Sequence, residues 1–160
     1  MLIDAFAIVS DRHPLWDLHI VGDGEIAMEL AAYVQKLGLV QRVLFHGKRR
    51  DVSAFFLTSQ LYCMPSKWEG FPNALAEAMA HGLPSVGLSS CAGVRDLIVH
   101  GVNGFLTNEQ NLPQTLDALM SDPDARCVMG CAAMEHIAQY QPEKTFRCWD
   151  NLLDEVMPQR

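Results

Sequence analysis

The sequence predicts a doubly wound α/β domain, a parallel sheet with helices on both faces. Two observations lead there. Short apolar runs alternate with stretches of helical period at an interval that suits βαβ units, whose crossovers are right-handed. The chain of 160 residues, 49% apolar and 19% charged, also has the size and composition of one soluble domain with a real core. No internal repeat, low-complexity tract or flexible linker divides it, so 1–160 reads as a single domain.

Each element has its own signal. Leu2, Ala5, Phe6 and Val9 recur at helical spacing, so the chain opens inside a helix; either that helix is terminal or a longer sequence was cut there. His13-Pro14 breaks the pattern, and 16–21 alternates as a strand with Leu18 and Ile20 on one face. Gly22-Asp23-Gly24 turns the chain into a helix striped by Ile26, Leu30, Val34 and Leu37 and ended by Gly38. Residues 43–45 form a short strand closed by His46-Gly47. Asp51 can cap a helix holding Phe55 and Phe56, and 61–64 is a buried strand stopped by Pro65-Ser66. The next helix runs from Pro72 to about His81, with Pro at its first position and Gly82 beyond its end. A strand at 85–88 and a short helix at 94–99 follow. Asn103-Gly104 reads as a tight turn between Val102 and Phe105. From Leu112 onward the pattern is helical, broken at Asp122-Pro123 and Gln141-Pro142.

Composition narrows the function. A net charge of −7 argues against nucleic acid as a partner, which calls for a basic stripe. Lys48, Arg49, Arg50 and Lys67 nevertheless gather four of the twelve Lys and Arg residues in twenty positions, either a solvated face or a place for a phosphate. No segment has the apolar length of a membrane span and no charged-then-apolar leader opens the chain. Five cysteines, an odd number without a dense framework, suit reduced thiols in the cytoplasm.

In an open parallel sheet, ligands sit at the carboxyl ends of strands. The segments after strands are therefore the candidates: 22–24, 46–50, 65–72 and 89–93. The third carries the most chemistry. Glu69-Gly70-Phe71-Pro72 joins a strand end to a helix start, where the first amides lack partners and the dipole is positive. The N–H groups of Phe71, Asn73 and Ala74 can hold an anion there, and Gly70 lets backbone approach it. Glu69 would repel a phosphate and suits sugar hydroxyls. Glu77 lies roughly 7–8 Å along the helix from Pro72, the place for a ribose one phosphate away. Alternatively, Glu77 is exposed on the solvent side of its helix.

Pro65-Ser66, Glu69-Gly70-Phe71-Pro72, Glu77-Ala78-Met79-Ala80, Gly82 and Pro84 resemble the Glu-x7-Glu signature of family-4 retaining glycosyltransferases. The stretches FAIVSDRHPLWDLHIVGDG, KLGLVQRVLFHG and GVRDLIVHGVNGFLTN resemble the same family, in order, over nearly the whole chain. The resemblance implies the GT-B fold, two Rossmann-like domains across a cleft, of which this chain looks like the second. It implies that Glu69 supports charge at the anomeric carbon of the transferred sugar and that Glu77 holds the nucleotide ribose. The Phe71, Asn73 and Ala74 amides would hold the sugar and distal phosphate, and the backbone at Gly47 and Lys48 would border the base, whether uridine, guanosine or adenosine. Neither metal nor cofactor is implied; the nucleotide-diphosphate sugar is substrate. The family's preceding strand, glycine turn and Arg/Lys pair would lie upstream of Met1, as would the acceptor domain. Through that domain the full protein is open to peripheral association with the inner face of the membrane. The resemblance further implies that these 160 residues transfer no sugar alone and bind donor weakly. Position 96 is Asp where the family has Glu. A non-catalytic nucleotide-sugar-binding module is the other reading.

Other signals are weaker. Gly22-x-Gly24-x-x-Ala27 has the spacing of a dinucleotide fingerprint, but no acid ends the next strand, so a tight turn is favoured. Cys127, Cys131 and His136 lack a fourth metal ligand, and the two thiols are expected to be buried in a C-terminal helix. His81 suits a helix end, and His46, beside the basic loop, is a ligand-contact candidate. Trp149, Leu152 and Leu153 read as core or as a docking face.

Overall fold

A computed structural model describes residues 1–157. The element order is α1 (Leu2–Val9), β1 (Leu18–Ile20), α2 (Ala27–Lys36), β2 (Val43–Phe45), α3 (Ser53–Thr58), β3 (Tyr62–Met64) and α4 (Asn73–Ala80). It continues through β4 (Ser85–Leu88), α5 (Ala92–Leu97), β5 (Gly104–Thr107), α6 (Leu112–Ser121), α7 (Pro123–Ile137) and α8 (Pro142–Val156). Every strand pair is parallel, as the alternation predicts. The sheet, however, comes in two pieces, β1-β2 and β3-β4-β5.

β4 shows why the fold is layered. All four of its residues are buried, so it needs cover on both faces. Val86 packs with Phe6 and Val9 of α1 and Leu116 and Leu119 of α6. On the opposite side Leu75 and Met79 of α4 pack with Val94 and Leu97 of α5 and Ala133 of α7. Helix ends follow local chemistry. The Asp51 carboxylate accepts the Ser53 amide at 2.9 Å ahead of α3, and the Asp122 carboxylate accepts the Ala125 amide at 2.9 Å to start α7.

The turn expected at Asn103-Gly104 is present at 101–103, and Gly104 begins β5, whose backbone lies so close to Ser85 that no side chain would fit. Asn103 is fully buried, accepting the Val99 amide at 2.8 Å and donating to the Leu97 carbonyl at 3.1 Å. Cys127 and Cys131 are exposed, not buried, because α7 turns Met129, Gly130 and Ala133 inward. Trp149, Leu152 and Leu153 are about half exposed and belong to none of the core clusters. Among the described residues no helix is long and apolar enough to cross a membrane.

His19 of β1 and His46, just past β2, stack at 5.0 Å with a ring nitrogen of each 2.8 Å apart, and Phe55 lies 4.6 Å from His46. Burial, then the His19 and Arg49 charges, lowers the His46 pKa. The unfolded chain, with His near pH of about 6.5, then takes up the proton first. Stability from this pair is therefore complete above about pH 6.5 and declines as pH falls through that value toward the lowered folded one. The thermal midpoint should drop on acidification to about pH 5.5, and drop less in His46→Gln. Equal drops in both proteins would show that the pair is not the sensor.

Candidate functional site

Three of the loops at the carboxyl ends of the strands hold the residues expected at the site. The first two are tied together: the Gly22 amide donates to the Gly47 carbonyl at 3.0 Å. Gly47 has a φ of +62°, a left-handed conformation that a side chain disfavours. Lys48 beside it is exposed.

The third loop, 65–72, links β3 to α4. Lys67 pairs with Glu109 at 2.7 Å across its start. Glu69 is half-buried. Behind it the carbonyls of Glu69 and Gly70 press on Gly93 of α5: a Cβ at Gly93 would fall 2.8 Å from the Glu69 oxygen and closer still to that of Gly70. The loop is thus seated directly on a helix with no side chain between. Nothing in the periodicity of the sequence singles out Gly93; only its position after β4, in the 89–93 segment, hints at it.

Pro72 is buried and caps α4, and the Leu75 and Ala76 amides donate to its carbonyl at 3.0 and 3.1 Å. The Asn73 amide donates to the Phe71 carbonyl at 3.0 Å, so it is engaged within the loop. The amides of Phe71 and Ala74 have no protein acceptor among the described residues. The far end of α4 closes tightly: Gly82 has φ of +76°, and the Leu83 amide returns to the Ala78 carbonyl at 3.1 Å.

Burial of Leu75, Ala78 and Met79 dictates where Glu77 goes. These residues take the inner arc of α4, and Glu77 is left exposed at its rim. That explains how a helix rich in Ala and Met keeps an acid: the acid is not in the core. Glu77, Phe71 and Asn73 share a hollow of about 370 Å³ with Met134, Ile137 and Tyr140. Ala74 opens instead onto a larger hollow of about 910 Å³ that runs between the two sheets. Glu69, Gly70, Gly47 and Lys48 line neither hollow. Burial, then the charges of Cys63, Glu69 and Glu77, pushes the Tyr62 phenol up to about 12.

The family profile described as glycosyl transferases group 1 matches residues 1–122. An uncharacterized glycosyltransferase of Haemophilus influenzae is 33% identical over 155 residues, covering 95% of this chain and 44% of its own length. An Escherichia coli UDP-Gal:alpha-D-GlcNAc-diphosphoundecaprenol alpha-1,3-galactosyltransferase is 34% identical over 106 residues, covering 66% of this chain and 27% of its own. The crystal structure of Anabaena HepE in complex with UDP-glucose superimposes with a TM-score of 0.84 at 29% identity, covering 98% of this chain and 44% of that one. The chain spans less than half the length of each of these proteins.

Proposed function

Because this chain belongs to the group 1 glycosyl transferases, we propose that it is the donor-binding part of a retaining enzyme of GT-B type. That enzyme moves a hexosyl group from a nucleotide-diphosphate sugar to a saccharide or lipid-linked acceptor in polysaccharide or glycolipid synthesis. The observation that carries the reading is the loop 65–72: it brings a half-buried acid, Glu69, to the start of an eight-residue helix whose loop is seated on Gly93. The likeness to a UDP-glucose complex supports the same assignment.

In the proposed step the bond from the anomeric carbon to the diphosphate breaks, leaving positive charge on the sugar and negative charge on the departing phosphate. Glu69 lies on the sugar side, where its carboxylate holds hydroxyls and favours the developing cation. The Phe71 and Ala74 amides, with the positive end of α4, face the phosphate; well-placed donors of this kind contribute about 3–4 kcal/mol each to other transition states. The Asn73 amide joins them if its bond to Phe71 opens on binding. Glu77 takes the ribose hydroxyls, and the backbone at Gly47 and Lys48 borders the base. This reading assigns no metal to the step.

The test is a thermal-shift screen of the 160-residue chain against UDP, GDP, ADP and their glucose conjugates. A nucleotide at a hundred times its dissociation constant adds about 2.7 kcal/mol, which moves the midpoint of a domain this size by roughly 5–10 °C. One nucleotide should stand out, and Glu77→Ala should reduce its shift. A flat response to all of them would remove the donor-site assignment.

A further inference from the structure

We propose that Tyr140 is a positioning residue for the donor phosphate: its ring holds Phe71, and with it the Phe71 amide, at the start of α4. The inference rests on the donor reading above and adds to it a residue from outside the loop 65–72.

The loop alone does not fix that amide. The carbonyls of Glu69 and Gly70 press on Gly93 of α5. The peptide between Gly70 and Phe71 is trans, so its N–H points opposite to its carbonyl. The Phe71 amide therefore faces away from α5, toward the start of α4, where it has no protein acceptor among the described residues. Gly70 has no side chain with which to hold this end of the loop. The Phe71 ring can hold it. That ring is about half exposed and lies 5.6 Å from the Tyr140 ring at 54°. The separation falls within the range of about 4.5–7 Å for a tilted aromatic pair.

Tyr140 stands on a firm support. α7 turns Met129, Gly130 and Ala133 inward. A Cβ at Gly130 would collide with the Gly82 carbonyl, so α7 is seated on backbone just past the end of α4. Ala133 packs with Leu75 and Met79 of α4. From Gly130 to Tyr140 the chain climbs roughly 15–17 Å, and α4 with its caps, 72–82, is about as long. Tyr140 thus arrives at the start of α4, where it shares the hollow of about 370 Å³ with Phe71, Asn73 and Glu77. α7 and the turn after it brace α4 at both ends, Gly130 at its close and Tyr140 at its start. The Tyr140 hydroxyl lies 3.4 Å from the Asp96 carbonyl, longer than a normal O–H···O bond, so it adds little. The ring carries the effect.

The test compares the 160-residue chain with its Tyr140→Phe and Tyr140→Ala variants, by nitrogen relaxation and by titration with UDP, GDP, ADP and their nucleosides. Without ligand, the Phe71 amide should keep an order parameter near about 0.85 in the first two proteins and fall below about 0.6 in Tyr140→Ala. The diphosphate that binds the wild-type chain should bind Tyr140→Ala about five- to tenfold more weakly, while its nucleoside loses less than about twofold. Tyr140→Phe should match the wild type in both readings. If Tyr140→Ala does not fold, Tyr140→Leu, which keeps apolar bulk without the flat ring, takes its place with the same expectation. A merely structural role would weaken diphosphate and nucleoside alike, and that result overturns the proposal. So does an unchanged Phe71 amide in Tyr140→Ala, or a Tyr140→Phe protein as impaired as Tyr140→Ala. Wild-type binding matched by Tyr140→Ala removes only the role of Tyr140, whereas a wild-type chain that binds no nucleotide removes the donor reading and this inference with it.

Discussion

Glu69→Gln in the longer protein is expected to lower kcat by at least about a hundredfold while nucleotide affinity stays within about threefold. The substitution keeps the shape of the side chain and removes only its charge, so what is lost is support for the sugar cation. The fold should survive, because the loop is held by backbone contact to Gly93 and by the Lys67–Glu109 pair, neither of which uses the Glu69 carboxylate. Steady-state kinetics with the donor chosen by the thermal-shift screen, and a melting curve of the variant, decide the point. The partner substitution Glu77→Gln should act mainly on donor affinity. If Glu69→Gln turned over normally, the acid would have no part in the chemistry. If both variants lost affinity alike with kcat intact, the two acids would be binding groups only, as in a non-catalytic module.

The second large effect is expected at Gly93. Any Cβ there meets the carbonyls of Glu69 and Gly70, which are backbone and cannot turn away as a flexible side chain would. Gly93→Ala should cost about 1–3 kcal/mol, a drop in midpoint of roughly 2–12 °C, and should displace the loop that presents Glu69. Donor-induced stabilisation should fall with it. Gly24→Ala is the matched control, since open space surrounds that position and its φ is ordinary. A Gly93→Ala protein as stable as the control would mean that α5 yields easily and that the loop is not seated as described.

Local pattern explains most of what could be read in advance. Helices α2, α4, α6 and α7 and strands β1 to β4 lie where apolar period, Pro and Gly place them, within a few residues. The turn at 101–103 shows what that pattern leaves out. The Asn103 side chain spends both its polar ends on backbone groups of Val99 and Leu97 inside the protein. Turn composition alone does not distinguish an exposed corner from a buried polar clamp. The exposed Cys127 and Cys131 make the same point for α7: its sequence has no clear apolar stripe, so only the neighbours it packs against select the inner face.

The site divides the same way. The motif 69–84 placed an acid before a helix start and another within the helix, because Pro, Gly and helical spacing act between near neighbours along the chain. Two things were settled only by distant segments meeting. Gly93 became a seat for the loop, and Glu77 was left at a rim shared with Met134 and Tyr140 of a helix and turn some sixty residues later. The division of the sheet belongs with these. Which strand lies beside which depends on backbone hydrogen bonds between segments far apart in sequence, and side-chain periodicity carries no record of them.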